Sequence, residues 1–281
     1  MLIVFRHSQR QDQVYNPEIV WKEKYTRPYD PPISDLNLPS EVIRNDLEPS
    51  LSKQKELMKV FKPEKVVTSP FLRCVQTAAL IGKYYNIDTY EVDNRIAEDI
   101  VAIDKYIQRS NTKLEKILNG EDAGKTEDKK EVILPSQVTL KNYLDISLLE
   151  RNAIKDIISD LTKMEHDKIK ITWTHQKFPV DEVEAPKLVL DCVKEYRDYV
   201  SNHGNTVIMV THAKPMSDIS LYFKSIPCNP KYCGWFVVTC NNVFDVRSSE
   251  YLIARSVFQK KKKKITDSSL FCTTWKPMVT I

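Results

Sequence analysis

Three short stretches bring together residue types suited to phosphate chemistry: "RHSQR" at 6–10, "SPFLR" at 69–73 and "TH" at 211–212. A neutral imidazole nitrogen can attack phosphorus near pH 7 without a base to activate it, and the phosphohistidine so formed divides one displacement into two. Guanidinium groups keep their charge at any working pH and grip phosphoryl oxygens bidentately. Each stretch follows a run of the buried-strand type: "LIVF" at 2–5, "KVVT" at 65–68 and "VIMV" at 207–210. In an open α/β sheet, ligands bind beyond the carboxyl ends of the strands. His7 and His212 can therefore share one site, and Arg73 reaches the same edge from the first turn of a helix.

Positioning these residues requires a sheet with helices around it. The chain has 281 residues, 42% of them apolar, enough for one large domain or a core domain carrying an insertion. Residues 8–48 are rich in Pro, Asp, Asn and Tyr and read as a long ordered loop. Ser50 is an N-cap candidate for a helix over 51–61, with Leu51, Leu57, Val60 and Phe61 on one face. Pro70 sits near the first turn of a second helix running to about 85. After a strand at 89–92, residues from about 103 to 170 turn helix-prone but strongly charged, as in "NGEDAGKTEDKKE", and read as an inserted, partly mobile cap. Core-like patterning returns with a helix over 181–203 that Gly204 ends, a strand at 206–210 and a helix after it. Around Asn241-Asn242 the pattern predicts a closing hairpin or meander. Strand–helix alternation over 2–100 and 180–225 argues for an α/β sandwich.

Several function classes are excluded. No apolar run approaches the ~18 residues of a membrane span, and four apolar residues before Arg6 are too few for a secretory signal, so a cytosolic location is the default expectation. The six cysteines then read as free thiols. Five lysines at 260–264 read as a solvated strand end, and no nucleic-acid partner is expected. Five glycines in the whole chain do not build a phosphate-cradling Gly-rich loop. A cysteine-dependent phosphatase needs Arg six positions after Cys, where Cys74, Cys192 and Cys240 have Leu80, Asp198 and Val246. The spacing of Cys228 and Cys233 fits no common zinc site, and neither a metal nor a cofactor is expected.

Together "FRHSQR", "TSPFLRCVQTA" and "VTHAKPM" resemble the histidine phosphatase superfamily, also called phosphoglycerate mutase-like, over nearly the whole chain outside the insertion. Within it, "LRCVQTA", "PISDLNLP", "NDLEPSLS" and "YCGWF" look most like the phosphatase domain of the TULA/Sts proteins, which act on phosphotyrosine. The resemblance implies a three-layer α/β/α sandwich of the phosphoglycerate mutase-like type with an inserted helical cap at about 103–170, all within a single domain over 1–281. It implies His7 as nucleophile, Arg6, Arg73 and His212 as the phosphate clamp, with His212 most useful when protonated, and Arg10 and Ser8 as further binding residues. Glu98 matches the general acid, and Asp99 beside it stays open as the alternative. A metal-independent phosphatase acting on a phosphorylated protein or a small phosphoester is implied, as is a homodimer. Two departures stand out: Ser8 where the family usually has Gly, and Asn94-Arg95 where Pro-Gly often precedes the acid. They keep a phosphate-binding pseudophosphatase open, and a mutase-type phosphotransferase is the sister activity.

Overall fold

The computed structural model describes residues 1–10, 30, 32–33, 51, 62–99, 101–105, 108, 151–175, 182–224, 230–238 and 243–245. Strands that are apolar on both faces must be covered on both faces. The strands are β1 (Leu2–Arg6), β2 (Pro63–Thr68), β3 (Thr89–Asp93), β4 (Lys170–His175), β5 (Thr206–Thr211), β6 (Trp235–Val238) and β7 (Val243–Asp245). They form one sheet in the order β4-β3-β2-β5-β1-β6-β7. From β4 to β1 all neighbours are parallel, whereas β6 and β7 close the far edge antiparallel.

Period-two alternation sorts the side chains into two cores. Ile3, Phe5, Val66, Ile208 and Val210 pack in one, and Leu2, Val4, Val67, Val207 and Met209 in the other. The first core is covered by α1 (Leu72–Tyr85) and α2 (Arg151–Thr162), the second by α3 (Ala185–His203) and α4 (Ala213–Lys224). This is the α/β/α sandwich that the sequence predicts.

Helix ends follow local rules. Phe71, in extended conformation, caps α1, so Pro70 stands just outside the helix rather than in its first turn. At the other end Asn86 takes the left-handed conformation at φ 57°, and its N–H returns to the carbonyls of Gly82 and Lys83. Gly204, at φ 68°, ends α3 where the sequence places the stop.

The stretch expected to be a cap needs correction at its C-terminal end. In α2, Ile154, Ile157 and Ile158 are buried in the same core as α1, and β4 pairs with β3. Residues 151–170 therefore belong to the sandwich, because an i, i+3, i+4 apolar stripe packs on the sheet whatever the charge of the opposite helix face. Residues 109–150 lie outside the described residues. So do most of the 8–48 loop, the 51–61 helix beyond Leu51, which is itself helical, and the lysines at 260–264. β6 and β7 form the predicted antiparallel closing pair, and their connection at 239–242 is also outside the described residues. Among the described residues no helix is long and apolar enough to cross a membrane.

Candidate active site

β1 and β5 are adjacent and in register, Arg6 opposite Thr211. The ladder continues past both strand ends, His7 N–H donating to the Thr211 carbonyl at 2.9 Å and Ser69 N–H to the Val210 carbonyl at 3.0 Å. Three strand ends thus meet at one edge, and the His7 and His212 rings lie 5.3 Å apart in an edge-on arrangement.

Hydrogen bonds fix the tautomer of each histidine. His7 Nδ1 lies 2.7 Å from the Ser8 carbonyl, which can only accept, so Nδ1 carries the proton. Nε2 of the same ring accepts from Arg73 Nε at 3.3 Å. Burial, reinforced by Arg73, His212 and Arg6, holds His7 well below the usual histidine pKa. The ring is held toward its neutral form, with its basic nitrogen facing Arg73. The Ser8 N–H donates to Thr77 Oγ1 at 2.9 Å, and Thr77 Oγ1 donates to the Arg73 carbonyl at 2.7 Å. The turn after β1 is thereby laced to the first turns of α1.

Arg73, almost fully buried, links the site together. Its Nη2 donates to Glu98 Oε2 at 2.6 Å and to His212 Nδ1 at 3.1 Å, and its Nη1 to Asp30 Oδ1 at 3.0 Å. Since Nδ1 of His212 accepts, its Nε2 donates to Ser69 Oγ at 2.9 Å. Cys74 Sγ lies 3.4 Å from the same nitrogen. Burial, then Arg73, Arg6 and Arg10, push His212 well below the usual histidine pKa. Desolvation and the three arginines all oppose a further positive charge on this ring and hold it toward its neutral form, the opposite of the protonated form in which the resemblance would make it most useful.

Arg6 lies against Tyr232, its guanidinium carbon 4.0 Å from the ring centroid, and its Nη1 donates to the Pro230 carbonyl at 2.7 Å. Its Nε–H is buried and has no hydrogen-bond partner among the described residues. Buried donors are nearly always paired, so an open one at a cationic edge suits an anion. Tyr232 also lies 5.5 Å from His7, ring to ring. Arg10 is buried and bridged to Ile33, and its charge reaches both Arg6 and His212. Ser8 is buried beside the nucleophile candidate.

Glu98 and Asp99 separate clearly. Glu98, with 25% of its side chain exposed, faces Arg73 and has Oε1 3.7 Å from His212 Nδ1. Asp99 accepts from the Ala102 N–H at 2.7 Å and caps the helical residues 101–105. Arg95 turns away from the site: it pairs with Asp93 at 2.7 Å and with Glu195 on α3 at 2.7 Å. The structure brings Arg6, His7, Arg73, Glu98 and His212 together. Sequence reasoning missed Asp30, Ser69, Thr77 and Tyr232, of which "LRCVQTA" and "YCGWF" contain two without marking them.

Among the described residues no group of three or more His, Cys, Asp or Glu side chains is placed to hold a metal ion. The sequence matches no protein-family profile and no curated protein. Among the solved structures similar to the chain are the following three. The ecdysone phosphate phosphatase of Bombix mori, in complex with tungstate, is 14% identical, with 86% of this chain and 91% of that one covered and a TM-score of 0.44. A phosphoglycerate mutase from Bacillus anthracis str. Sterne is 14% identical, with 87% and 90% covered and a TM-score of 0.43. A phosphoserine phosphatase mutant from Entamoeba histolytica, in complex with phosphoserine, is 11% identical, with 86% and 93% covered and a TM-score of 0.39.

Proposed function

We propose that this protein is a histidine phosphatase that hydrolyses phosphomonoesters through a phosphohistidine on His7. The observation that carries the reading is the state of His7: held toward the neutral form, its Nδ1 proton fixed by the bond to the Ser8 carbonyl, with Nε2 facing Arg73. Nε2 forms a bond to phosphorus as the P–O bond to the leaving group breaks. Glu98 gives that oxygen its proton and then takes one from the attacking water, which splits the P–N bond and releases phosphate. Arg6 and Arg73 neutralise the transferring group more strongly in the transition state than water would. His212 is a second ring at the same oxygens, and a bound phosphate dianion would favour its protonated form. Arg10 adds positive charge behind it.

The substrate class in this proposal is a phosphotyrosine-type protein, on the strength of the TULA-like segments. A phenolate with pKa near ~10 leaves far more easily than an alkoxide, so partial engagement of Glu98 by Arg73 is tolerable there. A cytosolic site of action is part of the proposal.

The test is hydrolysis of para-nitrophenyl phosphate, a phosphotyrosine peptide and a phosphoserine peptide by wild type and His7→Ala, with and without EDTA. Release that needs His7 and ignores EDTA is expected, with the phosphotyrosine peptide preferred. Metal-dependent turnover by His7→Ala would overturn the mechanism. Phosphate binding without release by folded wild type would establish the pseudophosphatase instead.

A further inference from the structure

Asp30 has no exposed surface, and its two carboxylate oxygens are divided between two neighbours on α1. Oδ1 accepts from Arg73 Nη1 at 3.0 Å, and Oδ2 accepts from the Leu72 backbone N–H at 2.7 Å. The carboxylate is thus anchored to the helix backbone one residue before the arginine that it holds, at an end where the helix dipole favours an anion. Ile33, three residues on, is fastened to the same region: its N–H donates to Gln76 Oε1 at 2.9 Å, and it bridges to Arg10.

A guanidinium on a long side chain can rotate, and Asp30 grips the Nη1 corner, leaving Nε directed at His7 and Nη2 at His212 and Glu98. Charge alone argues against an anion here, since a carboxylate 3.0 Å from Arg73 weakens the pull on a phosphate. Orientation explains its place. We infer that Asp30 is a positioning residue that fixes the plane of the Arg73 guanidinium toward the transferring phosphoryl group. This rests on the phosphatase reading of the site.

The experiment compares Asp30→Asn with wild type in the full chain, measuring kcat per folded protein, KM for para-nitrophenyl phosphate, Ki for inorganic phosphate and Tm. The positioning role predicts a kcat reduced on the order of 10²-fold, as for a misplaced reacting geometry, with KM and Ki unchanged or lower because an opposing charge is gone. Unchanged kcat with a lowered Tm would make Asp30 a structural counterion and overturn the inference. Raised KM with unchanged kcat would overturn it as well. Should Asp30→Asn fail to fold, Asp30→Glu keeps the charge but moves the carboxylate by one methylene. The same loss of kcat is then expected, and wild-type kcat in Asp30→Glu overturns the inference. A wild type without His7-dependent release removes the functional reading itself and this inference with it, whereas an active wild type with an equally active Asp30→Asn removes the inference alone.

Discussion

The Thr211 hydroxyl donates to the Ile96 carbonyl at 2.6 Å, tying the last residue of β5 to the backbone two residues before Glu98. His212 follows Thr211 directly, so one buried hydrogen bond couples the second histidine to the carboxylate. Thr211→Val keeps the side-chain shape and strands the Ile96 carbonyl. A loss of about 1–3 kcal/mol of stability is expected. Turnover of an alkyl phosphate should fall more than that of para-nitrophenyl phosphate, because the good leaving group depends less on a well-placed acid. Equal losses on both esters would show that Glu98 does not depend on this bond.

Glu98 and Asp99 should respond in opposite ways to substitution. Glu98→Gln is expected to reduce kcat on alkyl phosphates by roughly 10²–10⁴-fold with little change in Tm. Asp99→Ala removes a helix cap and should lower stability by about 0.5–2 kcal/mol while leaving kcat per folded molecule near wild type. Steady-state rates paired with thermal melts distinguish the two.

The depressed histidines make stability depend on pH. Below pH ~6.5 the unfolded chain protonates His7 and His212 while the folded chain does not, so the unfolded state binds more protons and folding stability falls as pH falls. The loss begins near pH 6.5 and continues down toward the lowered folded-state values, at about 1.4 kcal/mol per pH unit for each histidine at most. Urea midpoints at pH 7.5, 6.5 and 5.5 measure it, and the His7→Gln/His212→Gln double variant should give a flatter profile. By the same logic kcat/KM should not show a histidine limb at pH 6.5.

Arg95 occupies a position where the superfamily that the sequence resembles often has glycine, and installing that glycine should do harm. Arg95 neutralises Asp93, which is fully buried and also accepts from the Arg95 backbone N–H at 2.9 Å and from Cys192 Sγ at 3.5 Å. Arg95→Gly would leave that carboxylate without its cation, and breaking such a pair costs roughly 3–5 kcal/mol. Denaturant titration checks this. A loss under about 1 kcal/mol would mean that water reaches Asp93 when Arg95 is removed.

Much of the sandwich was legible because its strands are short apolar runs ending in chemically marked residues. Arg6-His7 and His212 declare themselves, since strand ends in an α/β sheet converge on one edge. Gly204 likewise marks the end of α3. What stayed hidden depends on long-range pairing. Asp30 sits in a Pro- and Asp-rich stretch where any carboxylate reads as a turn former, and only the fold reveals Arg73 as its partner. Ile154, Ile157 and Ile158 were masked by the charged residues around them, so composition outweighed periodicity. How strongly the surroundings of His212 oppose its protonation was not legible, because one sequence motif does not show how many arginines surround a ring.

β1 lies between β5 and β6, and both of its partners come about 200 residues later in the chain. During synthesis at roughly 5–20 residues per second, its four apolar side chains would wait on the order of 10–40 s for Val207–Val210 to emerge. The strand that carries Arg6 and His7 is therefore made long before either of the strands that flank it, and the site closes only after β5 and β6 have been added.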